Sequence, residues 1–109
     1  MGTFEISEPQ ITKNEILLLD DPAFIASNVC IVTGAASGIG RALTIAAAAN
    51  GLTVLGLDVD EKASESVVEA VGALGGKMQF IRADLTKDED IENAVKQAAK
   101  LGDIRYLAN

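Results

Sequence analysis

The stretch Thr33-Gly34-Ala35-Ala36-Ser37-Gly38-Ile39-Gly40-Arg41-Ala42 decides the fold of this chain. Just before it stands Val29-Cys30-Ile31-Val32, a short apolar run that reads as a buried strand. Just after it, Gly38 to Asn50 carries Ile39, Ala42, Leu43, Ala46 and Ala49 near helical spacing, and Asn50-Gly51 marks a C-cap. The stretch is therefore a strand-to-helix turn with glycines spaced G-x-x-x-G-x-G. Gly34 permits a sharp turn after the strand, Gly38 lets a phosphate group approach the backbone, and Gly40 lets the helix pack closely. Backbone amides and the positive end of the helix dipole then form an anion site. Ser37 either donates to phosphate or satisfies the turn; both readings stay open. Arg41 is expected to face solvent, and Thr33 to make a structural hydrogen bond within the turn.

Working outward, Thr53 to Asp58 reads as a second strand, with Asp58 eighteen residues beyond Gly40. Asp60 is a candidate N-cap for a helix whose apolar face is Ala63, Val67, Ala70, Val71 and Leu74. Gly75-Gly76 is a turn, and Lys77 to Arg82 a third strand. Thr86-Lys87-Asp88-Glu89 has the capping-box pattern, ahead of a helical stripe of Ile91, Ala94, Val95 and Ala98. Gly102 closes that helix, and Ile104 to Ala108 is a fourth strand. The alternation β-α-β-α-β-α-β with short connections implies a parallel α/β sheet with right-handed crossovers, a Rossmann-like fold. Residues 1–27 form an N-terminal extension before the partial domain at 28–109. In it, Asn14 to Leu19 is a possible short helix or strand, and Ile16 to Leu19 are expected to pack.

A carboxylate at the end of the second strand of such a unit stands where adenosine ribose hydroxyls can donate to it. Its charge repels a 2′-phosphate, and no Lys or Arg stands at Ala36, Ser37, Val59 or Asp60, so NAD is expected in preference to NADP. Ala83-Asp84-Leu85 ends the third strand; Asp84 can accept from an adenine amino group while Leu85 packs on the ring.

Composition narrows the function classes. In 109 residues there is room for one compact domain, 49% of it hydrophobic, with few aromatics. A net charge of −7 opposes nucleic-acid binding, which needs a basic surface. The single cysteine, Cys30, lies in an apolar run and reads as a buried structural thiol, and a reducing cytoplasm is the expected setting. With no histidine, His-based acid/base chemistry and zinc sites are not expected in these residues, and no metal site is assigned. The amino terminus lacks the pattern of a signal peptide, and no apolar stretch is long enough to span a bilayer.

The turn Thr33 to Ala42 closely resembles the T-G-x-x-x-G-I-G motif of the classical short-chain dehydrogenase/reductase family, in which this glycine spacing is the usual form. The resemblance covers about Asn28 onward and does not explain residues 1–27. It implies strand order 3-2-1-4, with the fourth strand at an edge, and a cofactor site made by Gly34, Ser37, Gly38, Ile39, Gly40, Asp58, Asp84, Leu85 and Asn109. Asn109 is similar to the first residue of the family's Asn-Asn-Ala-Gly signature. The family's catalytic Ser, Tyr and Lys lie downstream and have no counterpart among these residues. Tyr106 has no Lys four positions later, so no catalytic residue is assigned.

The resemblance thus implies the amino-terminal half of an NAD-dependent oxidoreductase that interconverts an alcohol and a ketone, truncated after the fourth strand and inactive alone. The complete protein is expected to be a homo-oligomer acting on a small carbonyl or alcohol, without a membrane partner. The alternative is a non-catalytic NAD(H)-binding or sensing module.

Overall fold

The computed structural model describes residues 16–109. The seven elements follow the expected alternation: β1 (Asn28–Thr33), α1 (Gly38–Ala49), β2 (Thr53–Asp58), α2 (Glu61–Ala73), β3 (Lys77–Arg82), α3 (Asp88–Leu101) and β4 (Asp103–Ala108). The strands form one parallel sheet in the order β3-β2-β1-β4. Every step from β1 to β3 moves one way across the sheet, and the step to β4 reverses it. The reversal between β1 and β4 is a topological switch point, where a crevice opens at the carboxyl ends of the strands.

Successive residues of the two central strands point to opposite faces, so both need apolar side chains throughout. Cys30, Val32 and Val54 face one layer, where Ile45 and Ala48 of α1 and Val67 and Val71 of α2 cover them. Val29, Ile31, Leu55 and Leu57 face the other, against Ala94 and Ala98 of α3. Ile45 has no exposed surface, and burying a side chain of that size stabilises the fold by about 1.5–3 kcal/mol. Cys30 is buried as expected, and burial pushes its thiol pKa up.

Several local expectations are corrected. The buried face of α1 is Arg41, Thr44, Ile45 and Ala48, rotated from the stripe read in the sequence; Ile39 is 82% exposed and Leu43 45%. In a helix so rich in alanine, apolar spacing fits more than one face, and the entry from the turn selects among them. Arg41, expected in solvent, is only 6% exposed. In α2 the N-cap expectation holds, Asp60 accepting from Ala63 N at 2.9 Å. The capping box before α3 does not form: the N-cap is Lys87, without a side-chain bond, and the Thr86 hydroxyl instead donates to Asp84 Oδ1 at 2.6 Å. With its amide and hydroxyl both donating to Asp84 Oδ1, Thr86 belongs to the turn after β3 and stands one residue before the N-cap of α3. Of the α3 stripe, Ala94 and Ala98 are buried, while Ile91 and Val95 are about half-exposed.

Residues Ile16 to Leu19 are irregular, and Asn14 lies outside the described residues. Ile16 packs on the α1/α2 core, but Leu17, Leu18 and Leu19 are exposed. This segment is tied to the amino-terminal ends of the strands. Asn50 accepts from Leu19 N and donates to Leu17 O, Thr53 donates to Ala26 O, and Asp103 N donates to Ser27 O. It therefore lies at the opposite end of the sheet from the glycine turn. On β4 the register to β1 shifts, Val29 facing Ile104 and Cys30 facing Tyr106, so Arg105 is the extra residue of a bulge. Among the described residues no helix is long and apolar enough to cross a membrane.

Candidate functional site

The glycine turn is the centre of the carboxyl edge. Gly34 and Gly38 adopt φ values of 64° and 57°, a left-handed conformation that any side chain would strain. Gly40 is constrained differently: a Cβ there would stand 2.0 Å from Gly34 O. The helix start thus lies directly against the turn's own backbone. The first intrahelical bond shown is Arg41 N to Ser37 O, so the amides of Ile39 and Gly40 have no acceptor within the helix. Ser37 is the N-cap with extended backbone and no side-chain cap bond, and its side chain is exposed.

Asp58 reaches this turn from the end of β2. Its Oδ2 accepts from Ala36 N at 3.0 Å, and its Oδ1 from Val59 N at 2.7 Å and Asp60 N at 3.2 Å. A carboxylate offers about four lone-pair sites. With three in use here, the remaining capacity lies on Oδ2, beside the turn.

The ends of the other strands complete the edge. After β3, Asp84 Oδ1 accepts from both the amide and the hydroxyl of Thr86, and these bonds hold the Asp84 carboxyl below the usual carboxylate range. The Asp84 amide in turn donates to Asp90 Oδ2 at 2.8 Å. After β4, Asn109 Oδ1 accepts from the Thr33 hydroxyl at 2.6 Å. The Thr33 bond expected inside the turn therefore crosses to the neighbouring strand instead.

Between α3 and the sheet lies an apolar cavity of about 270 Å³, lined by residues including Thr33, Leu57, Leu85, Ile91, Val95, Leu107 and Asn109. It stands at the switch point. The sequence points to Leu85 and Asn109 as site residues, to Ile91 and Val95 only as a helical stripe, and to Leu107 only as part of a strand. The spacing of Ile91 and Val95 fits a helical core stripe and a cavity wall equally well. Ile91 and Val95 are 40% and 48% exposed because no element of the described chain covers that flank of α3. Tyr106 stands away from this edge, its ring edge-on to Phe24 at 5.9 Å. Among the described residues no group of three His, Cys, Asp or Glu side chains is placed to hold a metal ion.

Residues 28–109 match the family model for short chain dehydrogenase. The chain belongs to the short-chain dehydrogenase family. It is 34% identical over 82 residues to a cyclohexanol dehydrogenase of Acinetobacter sp., a match covering 75% of this chain and 33% of that protein. A short-chain dehydrogenase/reductase from Burkholderia phymatum, solved in complex with NAD, superposes with a TM-score of 0.73 at 29% identity, over 78% of this chain and 30% of that one. A citronellol catabolism dehydrogenase of Pseudomonas aeruginosa gives 0.75 at 27% identity, over 84% and 39%. The chain thus spans about a third of the length of these relatives.

Proposed function

We propose that this chain binds NAD at the carboxyl edge of its sheet, as the cofactor-binding part of an oxidoreductase that interconverts an alcohol and a ketone by hydride transfer. The observation that carries the reading is Asp58, a carboxylate joined to the glycine turn with capacity left on Oδ2. That oxygen can accept a ribose hydroxyl, while its charge opposes a 2′-phosphate, which favours NAD over NADP. The binding of NAD by the Burkholderia phymatum relative supports the same choice.

The residues present fit such a ligand. Gly34 and Gly38 fold the backbone into a cradle, and a Cβ at Gly38 would meet nothing within 4 Å, so that side is open to a diphosphate. The amides of Ile39 and Gly40 and the helix dipole suit its charge, and Ser37 is exposed beside them. The exposed Ile39 side chain offers an apolar surface at the same rim. Asp84 Oδ2 is suited to accept from the adenine amino group, with Leu85, Ile91 and Val95 enclosing the ring and excluding water. Asn109 braces the far side through Thr33.

When bound, the nicotinamide supplies or accepts the hydride. The residues of this chain bind and orient. Proton transfer needs a general acid, and Tyr106, against Phe24, is not suited to that role. The family's Ser, Tyr and Lys are therefore expected in the remainder of a complete, cytoplasmic homo-oligomer acting on a small carbonyl or alcohol, and residues 1–109 alone are expected to bind without turnover. Calorimetric titration of the chain with NAD and with NADP tests the reading. NAD is expected to bind about tenfold tighter or more; tighter binding of NADP would overturn the role given to Asp58.

A further inference from the structure

We infer that Asp58 is a positioning residue for the phosphate-binding turn, holding Ala36 in place before any ligand arrives. Ala36 lies between two glycines in the left-handed conformation, Gly34 and Gly38, and is only 3% exposed. Two bonds tie this part of the turn to β2. Ala35 N donates to Leu57 O at 3.1 Å, and Ala36 N donates to Asp58 Oδ2 at 3.0 Å. The second crosses 22 positions of sequence and ends on a charged acceptor, which makes it the stronger type. Asp58 is itself anchored by Val59 N and Asp60 N, and Asp60 caps α2. The carboxylate therefore links the start of α2 to the middle of the phosphate turn. Without it, the Ala36 amide would be buried without its acceptor, and the turn would relax to rehydrate it.

This role has a sign that a purely ribose-contacting carboxylate lacks. Removing a negative charge beside an anion site strengthens anion binding by Coulomb's law. Removing a brace from the cradle weakens it. The part of the inference that concerns ligands rests on the dinucleotide reading above; the part that concerns the free chain does not.

The experiment has two readouts on the 109-residue chain. Amide hydrogen exchange by NMR, without ligand, compares Ala36 with Ala35, whose acceptor is backbone and unaffected by substitution. In Asp58→Ala and Asp58→Ser, Ala36 exchange is expected to rise about tenfold relative to Ala35. Asp58→Asn, whose amide oxygen can still accept from Ala36, is expected to restore part of the protection. In parallel, binding of ADP and of 2′,3′-dideoxyadenosine diphosphate is measured; the latter has no ribose hydroxyls to offer Asp58. Both are expected to weaken at least about fivefold in Asp58→Ala, in proportion to the loosened turn. An Ala36 amide unprotected in the unsubstituted chain, or unchanged by substitution, overturns the inference, and so does dideoxy binding that is unchanged or tighter. If neither nucleotide binds the unsubstituted chain, the dinucleotide reading fails, while the Ala36 exchange still decides the brace.

Discussion

The Thr33 hydroxyl donates to Asn109 Oδ1 at 2.6 Å, joining the carboxyl ends of β1 and β4 across the switch point of the sheet. β4 is an edge strand, and this bond stands at the rim of the 270 Å³ cavity that both residues line. Thr33→Val keeps the shape and removes the donor. The expected loss of stability is about 1 kcal/mol or less, since the bond is exposed, as read from urea denaturation. Nucleotide affinity is expected to fall as well; unchanged affinity would make the bond irrelevant to the site.

Gly40 and Gly38 are expected to respond differently to alanine. At Gly40 the added Cβ meets Gly34 O at 2.0 Å, so the turn and the helix start must separate. A cost of about 1–3 kcal/mol follows, with loss of nucleotide binding. At Gly38 the added Cβ meets no neighbour, and only the backbone conformation is strained, by about 1–2 kcal/mol. Thermal melts of the two variants, with nucleotide titrations, separate a steric from a conformational cause.

Val95 lies half-exposed on the cavity wall, so a polar side chain there should perturb ligand more than fold. Val95→Gln is expected to change stability by less than about 0.5 kcal/mol and to weaken AMP binding several-fold. Equal affinity in both chains would place the adenine elsewhere.

Thr86 sets the acidity of Asp84. Its hydroxyl and amide bonds hold the Asp84 pKa below its ordinary value, so folding favours the ionised carboxyl. That contribution is present above the unfolded pKa and is lost as pH falls through the lower folded one. Thr86→Val removes the hydroxyl bond and keeps the amide bond, so the Asp84 carboxyl should titrate at higher pH, toward its ordinary value. Carbon-detected NMR titration of the Asp84 side chain checks this, and an unmoved midpoint would assign the shift to other groups.

Much of the fold was legible because parallel α/β units impose strong local patterns. Buried strands demand continuous β-branched and aliphatic runs, as in Val29 to Val32, and glycine is needed wherever φ turns positive, as at Gly34 and Gly38. Asp60 as N-cap was equally plain, since its acceptor acts three residues away. At the candidate site, the places of Asp58, Asp84, Leu85 and Asn109 at or just after the strand ends were legible, and their hydrogen-bond partners were not. What failed had several solutions of similar local energy. The alanines of α1 allow more than one buried face, and the Thr86 side chain can either accept from the first turn of a helix or donate to Asp84.

Taken alone, the amino-acid sequence determined the order of strands and helices along the chain, the glycine turn and the carboxylates at the strand ends, because each rests on interactions within a few residues. Only the tertiary structure decided which groups meet: Ala36 with Asp58, Thr33 with Asn109, and Ile91 and Val95 with the cavity beside the switch point. Those contacts join residues from 22 to 76 positions apart. Their geometry follows from strand order, crossover direction and register, which exist only once the sheet has formed.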